Sequence, residues 1–277
     1  YVDGALLDRF LGGLTGLKRV VTYNKILVIC NEITGDTVNA VSAARCTIGV
    51  DAEIFKLPTP LNMTACVRHG KAIGMYGGVD ALIESIKGMK FDALAIHTPI
   101  EVDRETALTY YKEGGVNPWG GIEAIVCRKI STAIDKPVAH APVENVTADD
   151  AELFNIFQSV VPSRIAAEAI SCCYLHCVLK GLHRAPRPIS VQTATLTARD
   201  VDFMVTPTLC WGKPHELCRQ QGIFIIAVAE NQITYSTISY TDIIVKNYWE
   251  AAGYIQAMRA GIHPDSVRSS LSETRIL

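Results

Sequence analysis

Charge is what this sequence has least of: Asp, Glu, Lys and Arg supply only 19% of its 277 residues, and the formal net charge is −2. No run of Lys or Arg occurs, and no stretch interleaves basic with aromatic residues. A face that binds a phosphate backbone needs clustered cations, so nucleic acid is excluded as an expected partner. The nearest approach to a basic cluster is Lys180, His183, Arg184 and Arg187. It is too short for a nucleic-acid stripe and suits a small anion better. Long apolar runs are also missing. The longest covers residues 223–229, whereas a membrane-crossing helix needs about 20, so no membrane partner is expected. No secretory leader pattern is visible, and an opening on Tyr1 rather than Met points to a natural start further upstream. Nine cysteines, an odd number scattered along the chain, do not make the framework of a small secreted disulfide protein. A reducing, cytoplasmic setting is the expectation.

What the chain has instead is apolar material, 49% of its residues, arranged in a recurring order. A short apolar run is followed by a turn and then an amphipathic stretch. Strands are expected at 25–31, 91–99, 136–142, 201–207 and 223–230. Helices are expected at 34–48, 103–113, 120–133, from 162 or 163 to 181, at 213–221 and at 247–260. Alternation of this kind predicts an α/β fold with a mainly parallel sheet and helices on both faces, a doubly wound arrangement. One domain over 1–277 is expected, with residues 186–199 as the candidate lid or sub-domain boundary. Ligands of open parallel sheets bind beyond the carboxyl ends of the strands. Those ends carry Asn31 and Glu32, His97 and Thr98, His140, the segment 206–210, and Glu230 with Asn231.

Six segments in order carry a resemblance to the uncharacterised family known as domain of unknown function 3326, found in bacteria and photosynthetic organisms. They are residues 1–10 (YVDGALLDRF), 114–125 (GGVNPWGGIEAI), 137–142 (PVAHAP), 161–168 (VPSRIAAE), 177–186 (CVLKGLHRAP) and 226–231 (IAVAEN). The resemblance implies a fold and a site location, and no established reaction. It also implies a further amino-terminal strand and Gly-rich turn that this sequence does not contain. Where the family tends to have a small Gly-containing turn, this chain has Cys30, Asn31 and Glu32, so its substrate is expected to differ from that of relatives. A member from a photosynthetic eukaryote would sit in the plastid stroma.

The strongest local feature is Asn117-Pro-Trp-Gly120-Gly121-Ile-Glu123. Paired glycines at a helix start let free N–H groups approach an anion; the plainer account is a tight turn with Glu123 as a dipole-complementing acid. Its Gly spacing is neither a dinucleotide fingerprint nor a P-loop, so no nicotinamide chemistry is expected and no cofactor is assigned. His140 ends a strand where an imidazole can move a proton, and His97 occupies a similar place; either can instead be a core histidine. Arg164, four residues before Glu168, and Arg184 can clamp an anion or form ordinary ion pairs. Cys210, near Lys213 and a helix start, is a candidate nucleophile or second acid or base. With His215 and Cys218 it matches no standard zinc spacing, so no metal is expected. Cys172, Cys173, His176 and Cys177 crowd one helix whose surroundings favour buried packing over a metal site.

The leading expectation is an enzyme, a lyase, isomerase or hydrolase acting on a small carboxylate- or phosphate-bearing metabolite. Gly120, Gly121, Glu123, Arg164 and Arg184, with Asn31 and Glu32, would hold the ligand. His140 would move a proton, Cys210 would assist, and Glu230 with Asn231 would orient the reacting group. The rival reading is a non-catalytic metabolite-binding or assembly protein with the same pocket. Apolar helices make a homodimer a further expectation.

Overall fold

The computed structural model describes residues 4–18, 22–143, 151–166, 171–231, 240–268 and 271–277. The chain divides into two compact units, Tyr1–Thr197 and Ala198–Leu277, and the division falls within the 186–199 segment.

The first unit contains, in order, α1 (Gly4–Leu11), β1 (Gly16–Lys18), β2 (Lys25–Cys30), α2 (Gly35–Ile48), β3 (Asp51–Lys56), β4 (Asn62–Arg68), β5 (Lys71–Gly77) and α3 (Val79–Ser85). It continues with β6 (Ala93–His97), β7 (Glu101–Val102), α4 (Arg104–Glu113), α5 (Gly120–Ile134) and β8 (Val138–His140). After these come α6 (Ala151–Gln158), α7 (Ser163–Ala166), α8 (Ser171–His183) and β9 (Arg187–Ile189). Four strands pair in the order β3-β2-β6-β8, all parallel.

The central strands are apolar at nearly every position because both faces are covered. Leu27, Ile29, Leu94, Ile96 and Val138 pack with Ile122, Val126 and Ile130 of α5. The alternate residues Ile26, Val28, Ala93, Ala95 and Ala139 pack with Ala40, Val41 and Ala44 of α2 and with Leu175, Leu179 and Leu182 of α8. The second face is rich in alanine, which lets helices lie close to the sheet. Helix α8 is thus amphipathic rather than apolar all round: Cys177 is exposed, and His176 bonds Thr47 Oγ1 at 2.9 Å. The side chains of Cys172 and Cys173 lie outside the described residues.

β4 and β5 form a hairpin whose Arg68 and Lys71 are paired across a two-residue turn. His69 (φ 50°) and Gly70 (φ 70°) both take left-handed conformations, as a type I′ turn requires. The hairpin and β7 make a three-stranded sheet in the order β5-β4-β7, with Met63 and Ala65 turned into the α5 core. Gly121 decides how closely α5 approaches it. A Cβ at Gly121 would lie 2.1 Å from the Ala72 carbonyl oxygen, while one at Gly120 would meet nothing within 4 Å.

The second unit contains β10 (Phe203–Pro207), α9 (Lys213–Gln221), β11 (Phe224–Val228), β12 (Ile243–Val245), α10 (Tyr248–Arg259) and α11 (Asp265–Arg268). Its strands pair in parallel in the order β10-β11-β12, around Ile226, Val228, Val245 and Ala251. The parallel strands therefore belong to two sheets, a correction to the single sheet edge that alternation alone suggests. Periodicity says which face of a strand is buried and nothing about which strand lies beside it. Among the described residues, no helix is long and apolar enough to cross a membrane.

The two glycines separate in a test. Gly121→Ala is expected to cost about 2–3 kcal/mol, because its methyl group meets backbone that cannot move aside. Gly120→Ala is expected to stay within about 1 kcal/mol of the parent. Urea unfolding of the two variants measures both.

Candidate functional site

The carboxyl edge of the four-stranded sheet gathers His97, Thr98 and His140. Beyond β6 and β8 the ladder continues, with the Ala141 N–H donating to Ile96 O at 2.7 Å and the Val143 N–H to Thr98 O at 3.3 Å. The Cα of His140 is paired with that of Ile96, and His97 with Cys30. Paired residues of neighbouring strands share a face, so His140 points to the α5 side and His97 to the side of α2 and α8.

On the α5 side, Glu123 Oε1 lies 2.9 Å from His140 Nδ1, and His140 Nε2 lies 3.1 Å from Thr98 Oγ1. An ionised carboxylate only accepts, so Nδ1 carries the proton and donates to Glu123. Nε2 is then the acceptor, and the Thr98 hydroxyl donates to it. The result is an ordered chain from carboxylate through imidazole to hydroxyl. It is graded in exposure: the Glu123 side chain is 20% accessible and that of His140 2%, and Thr98 is 0% accessible. Glu123 is the member that meets solvent.

His97 is held separately. Its Nδ1 lies 2.8 Å from the Ala141 carbonyl oxygen, which can only accept, so neutral His97 keeps an unprotonated Nε2. Burial lowers its pKa below the usual 6.5; the bond to Ala141 opposes this and nearby His140 adds to it.

The start of α5 is occupied by its own chain. Asn117 Oδ1 accepts from the N–H of Trp119 at 3.0 Å and of Gly120 at 3.2 Å. With the Gly120 N–H engaged and Gly121 lying against Ala72, capping and packing account for the glycine pair. Asn31 is likewise engaged. Its amide donates to Leu61 O at 3.0 Å and accepts from the Leu61 N–H at 2.9 Å, pinning the loop after β3 to the end of β2. Glu32 is exposed.

The profile of the family described as "Protein of unknown function (DUF3326)" matches residues 1–268. The chain belongs to this family. An uncharacterized lipoprotein of Synechococcus sp. is 30% identical over 287 aligned residues, covering 95% of this chain and 77% of that protein. No solved structure matches. The relative's name overturns the expected cytoplasmic or stromal location, since a lipoprotein is not a free cytoplasmic protein. Scattered cysteines and the lack of a membrane-length apolar run had pointed the other way, but neither property reports on a lipid anchor.

Other expected positions of this DUF3326 member lie elsewhere. Arg184 is exposed at the opposite, amino-terminal edge of the sheet. There the Asn24 N–H donates to His183 O at 2.9 Å, the Asn24 amide donates to Leu182 O and Ala185 O, and Arg187 binds Asp92 at 2.8 Å. A five-residue strand such as β6 rises about 3.3 Å per residue, which separates Arg184 from His140 by more than a small ligand spans. That corrects the expectation that Arg184 holds the ligand on which His140 moves a proton. The Arg164 side chain and Glu168 lie outside the described residues.

In the second unit, Cys210 is half-buried and its N–H closes a turn onto Pro207 O at 3.3 Å, with Leu209 at φ 66°. His215 Nδ1 accepts from the Gly212 N–H at 3.2 Å, so Nε2 carries the proton and donates to Thr206 Oγ1 at 2.9 Å. Burial lowers the His215 pKa and raises that of Cys218. Glu230 Oε1 accepts from the Tyr248 N–H at 2.9 Å, and Asn231 Nδ2 donates to Tyr248 Oη at 2.6 Å; both secure the start of α10. Among the described residues, no three His, Cys, Asp or Glu side chains gather to hold a metal ion.

Two residues to which the sequence assigned no role belong to the site: Thr98, next to His97 at a strand end, and Asn117, whose place before a helix is a usual capping signal. Thr98→Val is expected to cost about 1–3 kcal/mol, since it leaves buried Nε2 without its donor; Thr98→Ser should restore most of it in thermal melts. Stability should also fall on acidification. His97 and His215 have folded pKa values below 6.5, so the unfolded chain binds more protons in that window. Their contribution is complete above about pH 6.5 and is lost as pH falls towards the folded values. Denaturant midpoints read across this range should decline, less steeply in His97→Asn.

Proposed function

We propose that this protein is an enzyme that moves a proton on a small metabolite, using the Glu123–His140–Thr98 chain. One observation carries the reading: the chain is ordered from an accessible carboxylate to a buried hydroxyl at the carboxyl edge of a parallel sheet. Glu123 is the acid or base that faces the ligand, and His140 acts through it. Because Nδ1 donates to the carboxylate, His140 orients one of the Glu123 oxygens. A lyase, isomerase or hydrolase fits such a group. Of the features that suggested an anionic ligand, the Gly120 N–H is engaged by Asn117 and Arg184 lies exposed at the far edge of the sheet, so the reading rests on proton transfer rather than anion recognition. Kinship with a protein named a lipoprotein supports placing the enzyme at a membrane through a lipid anchor.

A second reading draws on burial. Thr98 is 0% accessible, which also suits a polar tie joining α5, β6 and β8 beneath the pocket of a metabolite-binding protein. The two readings part in heavy water. The purified protein, incubated with pooled carboxylic, phosphorylated and neutral metabolites, is expected to place deuterium on carbon in one of them or to convert it. Glu123→Gln should lower that rate by at least about 100-fold, the usual scale of acid–base catalysis, with the melting curve largely retained. Tight retention of a metabolite in native mass spectra, with neither exchange nor conversion, would sink the enzyme reading and favour the binding one.

A further inference from the structure

The outer face of the β5-β4-β7 sheet is a shallow groove of about 540 Å³. Strand register orders its side chains. Thr64 sits between Met75 and Glu101, Cys66 beside Ile73, and Arg68 beside Lys71. Met75 is 74% accessible and Ile73 38%, while Met63 and Ala65 turn the other way into the core. One end of the face is therefore acidic and the other basic, with an apolar middle. From Thr64 to Arg68 is about 13 Å at roughly 3.3 Å per residue. Asp103, on the acidic side, accepts from the Thr106 N–H at 2.9 Å at the head of α4.

A face with opposite charges at its ends and apolar residues between them is complementary to itself. A half-turn that lays two such faces together exchanges their ends. Arg68 of each then meets Glu101 of the other, and Met75 and Ile73 leave water against the same residues of the second copy. Closed two-fold association of this kind uses one patch twice and needs no second complementary surface. An open strip of exposed Ile and Met on a sheet face is also a hazard that partner contact removes.

We propose that this face binds a second copy of the chain, forming a two-fold dimer through reciprocal Arg68–Glu101 pairs around Met75 and Ile73. The patch is small beside standard interfaces, so the dimer should be a weak one.

Sedimentation equilibrium over a concentration series tests this with charge reversals, because both residues are exposed. The parent should show a reversible monomer–dimer equilibrium that weakens as salt rises. Arg68→Glu alone faces Glu with Glu, and Glu101→Arg alone faces Arg with Arg, so each should weaken dimerisation at least ~10-fold. An equimolar mixture of the two restores both pairs and should recover a mixed dimer, which a misfolded variant cannot do. A parent monomeric at every concentration would overturn the proposal. So would a dimer indifferent to both reversals and to Met75→Asp, or a mixture that stays monomeric while both variants melt like the parent.

Discussion

The approach of α5 to β5 sets the geometry on which the candidate site depends. Asn117 closes the helix start by accepting from the N–H groups of Trp119 and Gly120. One residue later, Gly121 lies so close to Ala72 that a side chain has no room. These contacts fix where the helix begins and how far it stands from the hairpin. Ile122, Val126 and Ile130 then fill one stripe of the core, and Glu123, one position round the helix, comes within hydrogen-bond reach of His140. A helix held a few ångströms further out would bury the same apolar stripe less well and leave the imidazole without its acceptor.

The sheet itself keeps the two edge histidines apart. Successive residues of a strand face opposite ways, so register assigns His140 to the α5 side and His97 to the α2 and α8 side. Each imidazole is then defined by what its Nδ1 reaches. For His140 that is the Glu123 carboxylate, which fixes the proton on Nδ1 and leaves Nε2 to accept from Thr98; for His97 it is a backbone carbonyl in a setting where burial disfavours charge. Similar strand-end positions thus yield different chemistry, and only the one joined to a solvent-facing carboxylate offers a route for a proton.

Much of the secondary structure was legible because its signals are local. The runs at 25–31 and 223–230 read as buried strands, and the stretches at 34–48 and 213–221 as helices, from residues within one or two turns of each other. The hairpin of β4 and β5 was not legible. Its turn is His69-Gly70 rather than Asn-Gly, and half of its side chains face outward, so it carries no clean apolar run. At the site, Glu123 and His140 were recognisable as candidates from a helix start and a strand end. Their pairing with Thr98 was not, because 42 residues of chain separate Thr98 from His140.

By itself the sequence determined that the protein is α/β, that its main parallel strands are apolar runs suited to burial, and where its strand ends carry polar groups. These follow from composition and from periods of 2 and 3.6 residues. Tertiary structure alone decided that the parallel strands form two sheets, that Arg184 sits at the edge opposite His140, and that Gly121 is a packing residue. Strand pairing, edge position and helix approach are contacts between residues distant in the chain. Their energies depend on shape and hydrogen bonding at the point of meeting, which no local pattern of residues records.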